Sequence, residues 1–165
     1  MIIGIGGSSN AGKSNLAALI AEACSPRKVA IFSQDDYVYP EQALPRIRDH
    51  IDWEHPDTID FDRFRSDLES AAHENDLVIA EGLFLFCRPE LKKVFDKMIY
   101  VGLQKETFHK RKSSDQRWGQ EPEWYIDHIW KRHTQYGKPP EGNDLLMLQG
   151  EEEWPLDRIL AFLNI

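Results

Sequence analysis

Residues 7–14 read GSSNAGKS and follow the apolar run MIIGIG at 1–6. Gly7-Ser8-Ser9-Asn10-Ala11-Gly12-Lys13-Ser14 fits G-x-x-x-x-G-K-[ST], the phosphate-binding loop. Each residue type has a physical reason to stand there. Glycines let successive backbone N–H groups curl around phosphate oxygens, and the helix that follows aims its N-terminus at them. Lys13 adds a positive charge, and the Ser14 hydroxyl is a hard oxygen donor for Mg2+. All eight residues are therefore expected to hold the phosphates of a nucleoside triphosphate. The competing reading is a glycine-rich turn that only ends a strand.

The flanks of the loop decide between the two. Ile2 to Gly6 has the short, β-branched composition of a buried parallel strand, and Lys13 to Ala23 places Leu16, Leu19, Ile20 and Ala23 at helical spacing. Strand, loop and helix in that order are the context the motif needs. Further along, Lys28 to Ser33, Leu77 to Ala80, Lys97 to Val101 and Leu145 to Leu148 read as four more strands. Phe61, Phe64 and Leu68 mark a helix face, another helix is expected from about Lys105, and Leu156, Ile159, Leu160 and Leu163 close the chain as an amphipathic helix behind Pro155. Alternating strands and helices predict an α/β fold: a parallel sheet of about five strands, of phosphate-loop NTPase type, with helices on both faces. A single domain over 1–165 is expected, with a short lid at about 112–124.

Composition narrows the partners. The chain of 165 residues carries a formal charge of −8, with no basic stripe to neutralise a phosphate backbone, which argues against nucleic acid. Met1 to Gly7 lacks a charged leading segment and no later run is long enough to span a bilayer, so no membrane is expected. Cys24 and Cys87 stand apart and form no ligand motif, which fits a reducing compartment, the cytoplasm, and no structural zinc. A small soluble substrate is the expected partner, and both a monomer and a homodimer stay open.

Two acidic residues end strands at the sheet edge where ligands gather in open α/β folds. Asp35, in SQDDY at 33–37, can accept the proton of a hydroxyl that attacks a γ-phosphoryl group, or can serve as a turn or cap after the strand. Glu81, in LVIAEG at 77–82, can hold Mg2+ directly or through water, or can be a solvated residue at a loop entry. His128 and His133 show no ligand spacing and read as surface or packing residues. The purine site has no readable signature.

Taken together, IIGIGGSSNAGKSNLA, FSQDDY, IAEGLFLF, the basic KRK segment and the YIDHIW stretch resemble the uridine kinase-like phosphate-loop kinases, and among them the nicotinamide riboside kinases, in order and spacing. The resemblance implies ATP and Mg2+, with transfer of the γ-phosphate to the 5′-hydroxyl of nicotinamide riboside. It gives the base role to Asp35 and metal ligation to Ser14 and Glu81. In IDWEHPD at 51–57 it maps a base-stacking aromatic to Trp53 and a ribose-binding carboxylate to Glu54, where the family has Asp. Trp53 as core packing is the alternative. An indole face favours a cationic pyridinium over a neutral uracil. In the lid the resemblance implies phosphate stabilisation by Arg111 and Arg117, ribose or phosphate contact by Lys112, and closure over the base by Trp118. A solvated basic helix face is the alternative there. Two other readings of the whole chain stand beside this one: a uridine, cytidine or other nucleoside kinase of the same fold, and a nucleotide-binding regulatory module.

Overall fold

The computed structural model describes every residue except Arg117, Trp118 and Asn143. Five parallel strands form the main sheet: β1 (Ile2–Gly7), β2 (Val29–Ser33), β5 (Leu77–Gly82), β6 (Lys97–Gly102) and β7 (Leu145–Gln149), in the order β2-β5-β1-β6-β7. A two-stranded antiparallel ribbon, β3 (Arg46–Ile47) and β4 (His50–Ile51), lies outside it. The helices are α1 (Lys13–Ala23), α2 (Phe61–Ala71), α3 (Pro89–Lys92), α4 (Lys105–Ser114), α5 (Glu123–Tyr136) and α6 (Leu156–Leu163). Single 3-10 turns at Gln34–Tyr37, Glu41–Ala43 and Pro56–Thr58 punctuate the segment between β2 and α2.

Strand alternation sorts the core into two layers. In β1, Ile3 and Ile5 face a cluster built with Leu16, Ile20, Phe108, Ile129 and Ile159, while Ile2 joins a second cluster with Phe64, Leu68, Phe86 and Phe95. β5 repeats the pattern, with Leu77 and Ile79 in the first layer and Val78 and Ala80 in the second. Burial on both faces is why these strands read as unbroken apolar runs rather than alternating ones. At about 25 cal/mol per Å2 of apolar surface removed from water, these two layers are the main force holding the sheet to its helices.

Register then sets the carboxyl edge. Ser33 of β2 lies opposite Glu81 of β5, Gly6 of β1 opposite Gly82, and Gly7 opposite Val101 of β6. From β1 the chain crosses toward β2, and from β6 it crosses toward β7, so the connections diverge where β1 meets β6. That divergence is the crevice where open α/β sheets take ligands, and the loop 7–14 fills it. Among the described residues, no helix is long and apolar enough to cross a membrane.

Candidate functional site

The loop's backbone is shaped by two glycines in a conformation that other residues rarely adopt. Gly7 has φ 140° and Gly12 φ 96°. A Cβ on Gly7 would stand 2.0 Å from the Val101 carbonyl oxygen, and one on Gly12 would stand 2.8 Å from the Trp154 indole. Asn10, at φ 57°, is one of the few residue types that enter the left-handed region readily. Between them, buried Ser8 donates its N–H to Val101 O at 3.1 Å, and its carbonyl accepts from Ala11 N at 3.2 Å. The same carbonyl accepts Lys13 Nζ at 2.9 Å, which lays the ammonium along the loop.

Beside the loop is an oxygen-lined corner. Glu81, buried at the end of β5, accepts through Oε1 from Ser14 Oγ at 3.1 Å and from Ser33 Oγ at 2.8 Å. Two hydroxyls and a carboxylate are the hard donors Mg2+ takes, with water and phosphate completing its shell, so Ser14 and Glu81 fit that ion. Ser33 joins them as a residue that sequence reading passed over. Gln34 supports the corner from behind: buried, it accepts Phe84 N–H at 2.8 Å through Oε1.

A second group of the expected site residues is assembled from the segment around β4 and from α5. Asp35 is exposed in the 3-10 turn that follows β2. Trp53 is 47% exposed, so the indole is not core packing. Glu54 Oε2 is buried without a hydrogen-bond partner among the described residues. Its carboxyl is pushed up to about 7, first by burial and then by the charges of Asp52 and Asp35, against the pull of Lys112 and Lys13. Lys112 is itself buried. Thus Asp35, Glu54, Lys112 and Lys13 sit within electrostatic reach of a single point.

Helix α5 holds this segment in place. Tyr125 Oη donates to Ile51 O at 3.0 Å and accepts from Trp53 N–H at 3.2 Å. Between those two residues, buried Asp52 accepts Arg132 Nη2 at 2.7 Å and pairs with His128 Nε2 at 2.8 Å. Burial opposes ionisation of Asp52, but the bonds from His128 and Arg132 outweigh it and hold the carboxyl below its ordinary range. His133, one turn further on, is buried against the phosphate loop. His128 and His133 are therefore interior polar residues with named partners, not surface ones. A helical face of Tyr125, Ile126, Ile129 and His133 was available as a signal but is diluted by Trp, His and Lys between them.

Arg111 of α4 donates from Nη1 to Asn10 O at 3.1 Å and from Nη2 to Gly150 O at 2.8 Å. The guanidinium expected to face transferring phosphate here grips the backbone of the loop and the turn after β7. Asn10 Nδ2 donates to Asp115 Oδ2 at 3.1 Å, just past α4. Arg117 and Trp118, the other two expected lid contacts, lie outside the described residues. α4 ends beside the loop, where Asp115 meets Asn10.

No protein-family model matches the chain. The chain is similar to the uridine kinase of Chlamydia pneumoniae, 28% identical across 61% of this chain and 57% of the relative. It thus spans little more than half of that relative's length. Among solved structures it resembles a sugar kinase from Janibacter sp. HTCC2649, with a TM-score of 0.62, 14% identity and coverage of 99% and 94%. It also resembles the shikimate kinase of Aquifex aeolicus, with a TM-score of 0.55, 19% identity and coverage of 99% and 96%. At such identities the structural likeness concerns the fold, the five-stranded parallel α/β sheet of phosphate-loop kinases. The sequence similarity lies with distant relatives of uridine kinase type.

Proposed function

We propose that this chain is an ATP-dependent kinase that phosphorylates the 5′-hydroxyl of a nucleoside, with a pyrimidine riboside as its acceptor. The observation that carries this reading is the convergence of Lys13 and Ser14 from the loop with Glu81 and Asp35, and with Glu54, whose carboxyl lies within electrostatic reach of Lys13, Lys112 and Asp35. A pure nucleotide binder has no use for a buried carboxyl oxygen, Glu54 Oε2, without a partner among the described residues beside the phosphate cradle, because such an atom costs stability. A ribose hydroxyl can supply a donor to Glu54 Oε2.

In this reading Asp35 takes the proton of the 5′-hydroxyl as that oxygen forms its bond to the γ-phosphorus, and the bond to the β-bridging oxygen breaks to release ADP. Lys13 and the loop N–H groups stabilise the charge that builds on the phosphoryl oxygens. Ser14 and Glu81 would hold Mg2+, which would supply neutralisation of the phosphate charge. Lys112 meets the ribose or the phosphate.

The choice of a pyrimidine riboside is supported by the relative named as a uridine kinase. A second acceptor, nicotinamide riboside, is favoured by one feature: the exposed Trp53 indole beside the acceptor segment, a face suited to a cationic ring. Comparing kcat/KM for uridine, cytidine and nicotinamide riboside at saturating ATP separates the two. Preference for the pyridinium riboside would reverse the assignment of the base, and phosphorylation of none of them would remove the nucleoside.

A further inference from the structure

Beneath the phosphate loop lies a closed triangle of polar groups. His133 Nε2 is 3.0 Å from Ser8 Oγ and 3.1 Å from Tyr100 Oη. All three residues are buried. Tyr100 precedes Val101, whose carbonyl takes the Ser8 N–H, so β6 and α5 hold Ser8 from two sides. Its third group, the carbonyl, carries Lys13 Nζ. Every polar group of Ser8 is thus spoken for, and its side chain is held by a residue 125 positions away.

We propose that His133, together with Tyr100, is a positioning residue for the phosphate loop, fixing Ser8 so that the Gly7–Gly12 backbone and Lys13 are set to receive the triphosphate. The proposal rests on the loop's reading as a nucleotide cradle and names what tunes it.

Packing alone gives no reason for an imidazole here. The neighbouring inward positions of α5 are Ile126 and Ile129, and an aliphatic side chain would complete that face. The imidazole instead carries a cost, because Nδ1 is buried with no partner among the described residues. Gly137 gives it room: a Cβ there would stand 2.4 Å from Nδ1. An orphaned ring acceptor is less costly than an orphaned N–H, so the network assigns the proton to Nε2, which donates into the triangle. Burial, aided by the nearby Lys13 charge, pushes the imidazole down to about 4, and the ring stays neutral under working conditions. A neutral ring directs Ser8 without adding a second cation under the loop.

The test is direct binding of a non-hydrolysable ATP analogue with Mg2+, by calorimetry, to wild type, Ser8→Ala, His133→Leu, His133→Gln and the Ser8→Ala/His133→Leu double variant. Ligand-free melting is recorded for each. Glutamine can place an N–H near the position of Nε2, whereas leucine cannot. The expected result is about a tenfold loss of affinity for His133→Leu, the scale of one lost buried hydrogen bond, with most of it retained in His133→Gln. Adding Ser8→Ala to His133→Leu should cost little more, because both break one contact. Wild-type affinity in a folded His133→Leu, or losses that simply multiply in the double variant, would overturn the proposal. If leucine prevents folding, a His133→Gln protein no better than Ser8→Ala overturns it equally. Absence of analogue binding by the wild type overturns the nucleotide reading beneath it, which is a distinguishable failure.

Discussion

Ser14 Oγ donates to Glu81 Oε1 across 3.1 Å, joining the last residue of the phosphate loop to the end of β5. The contact is possible because the sheet register puts Glu81 beside Ser33 and one strand from β1. If the pair holds Mg2+, Glu81→Gln keeps the shape and removes the charge. The Mg2+ concentration needed for half-maximal turnover should rise by about ten- to hundredfold, read from a metal titration at fixed ATP. An unchanged Mg2+ requirement would make Glu81 a hydrogen-bond acceptor for the two serines and nothing more.

Asp35 stands exposed in the 3-10 turn that follows β2, outside the loop's own hydrogen bonds. Asp35→Asn should therefore lower turnover by roughly 10²-fold or more while affinity for an ATP analogue stays within about twofold. Loss of nucleotide affinity in place of turnover would reassign Asp35 to the metal corner.

Glu54 ties stability to pH. Its folded pKa, about 7, lies above the ordinary 4.5, so between those values the unfolded chain releases a proton that the folded chain keeps. Stability of the ligand-free protein should fall as pH rises through this window, by up to about 3 kcal/mol at roughly 1.4 kcal/mol per pKa unit. Glu54→Gln should flatten the dependence and raise Tm more at pH 8 than at pH 5, while weakening the acceptor. Denaturant melts across that range check the slope. A Glu54→Gln curve parallel to wild type would mean that Glu54 ionises freely in the folded state.

Trp53→Leu keeps apolar volume and discards the π-face. Because the indole is exposed, the variant should fold normally. Its acceptor KM should rise for every riboside, and by an extra amount for nicotinamide riboside of up to about 1–2 kcal/mol, the range of a desolvated cation–π contact. Unchanged KM values would place Trp53 outside the acceptor site.

The five strands of the main sheet were legible because parallel strands buried on both faces leave unbroken β-branched runs, as in Ile2–Gly7 and Leu77–Gly82. Their spatial order was not, since β5 inserts between β2 and β1 through contacts that leave no local pattern. The loop 7–14 was readable because its backbone geometry demands glycine at Gly7 and Gly12. Helix α5 went unseen as an element: Trp124, His128, Trp130 and Lys131 interrupt its apolar stripe. The partners it delivers escaped for a different reason. Asp52 meets Arg132 and His128, and Ser8 meets His133, across separations that periodicity cannot reach. Trp53 stands outside the core and Glu54 Oε2 is buried without a partner among the described residues, and neither follows from residue type.

The central claim is that γ-phosphoryl transfer to a riboside hydroxyl takes place on this loop. The most direct measurement incubates the protein with Mg2+, γ-labelled ATP and each riboside in turn, and follows label into the nucleoside monophosphate. Label should appear in at least one riboside, uridine foremost, and a folded Lys13→Ala variant should lose about 10²-fold or more of that turnover. Wild-type turnover in Lys13→Ala, or no labelled riboside from a protein that binds the ATP analogue, would contradict the account.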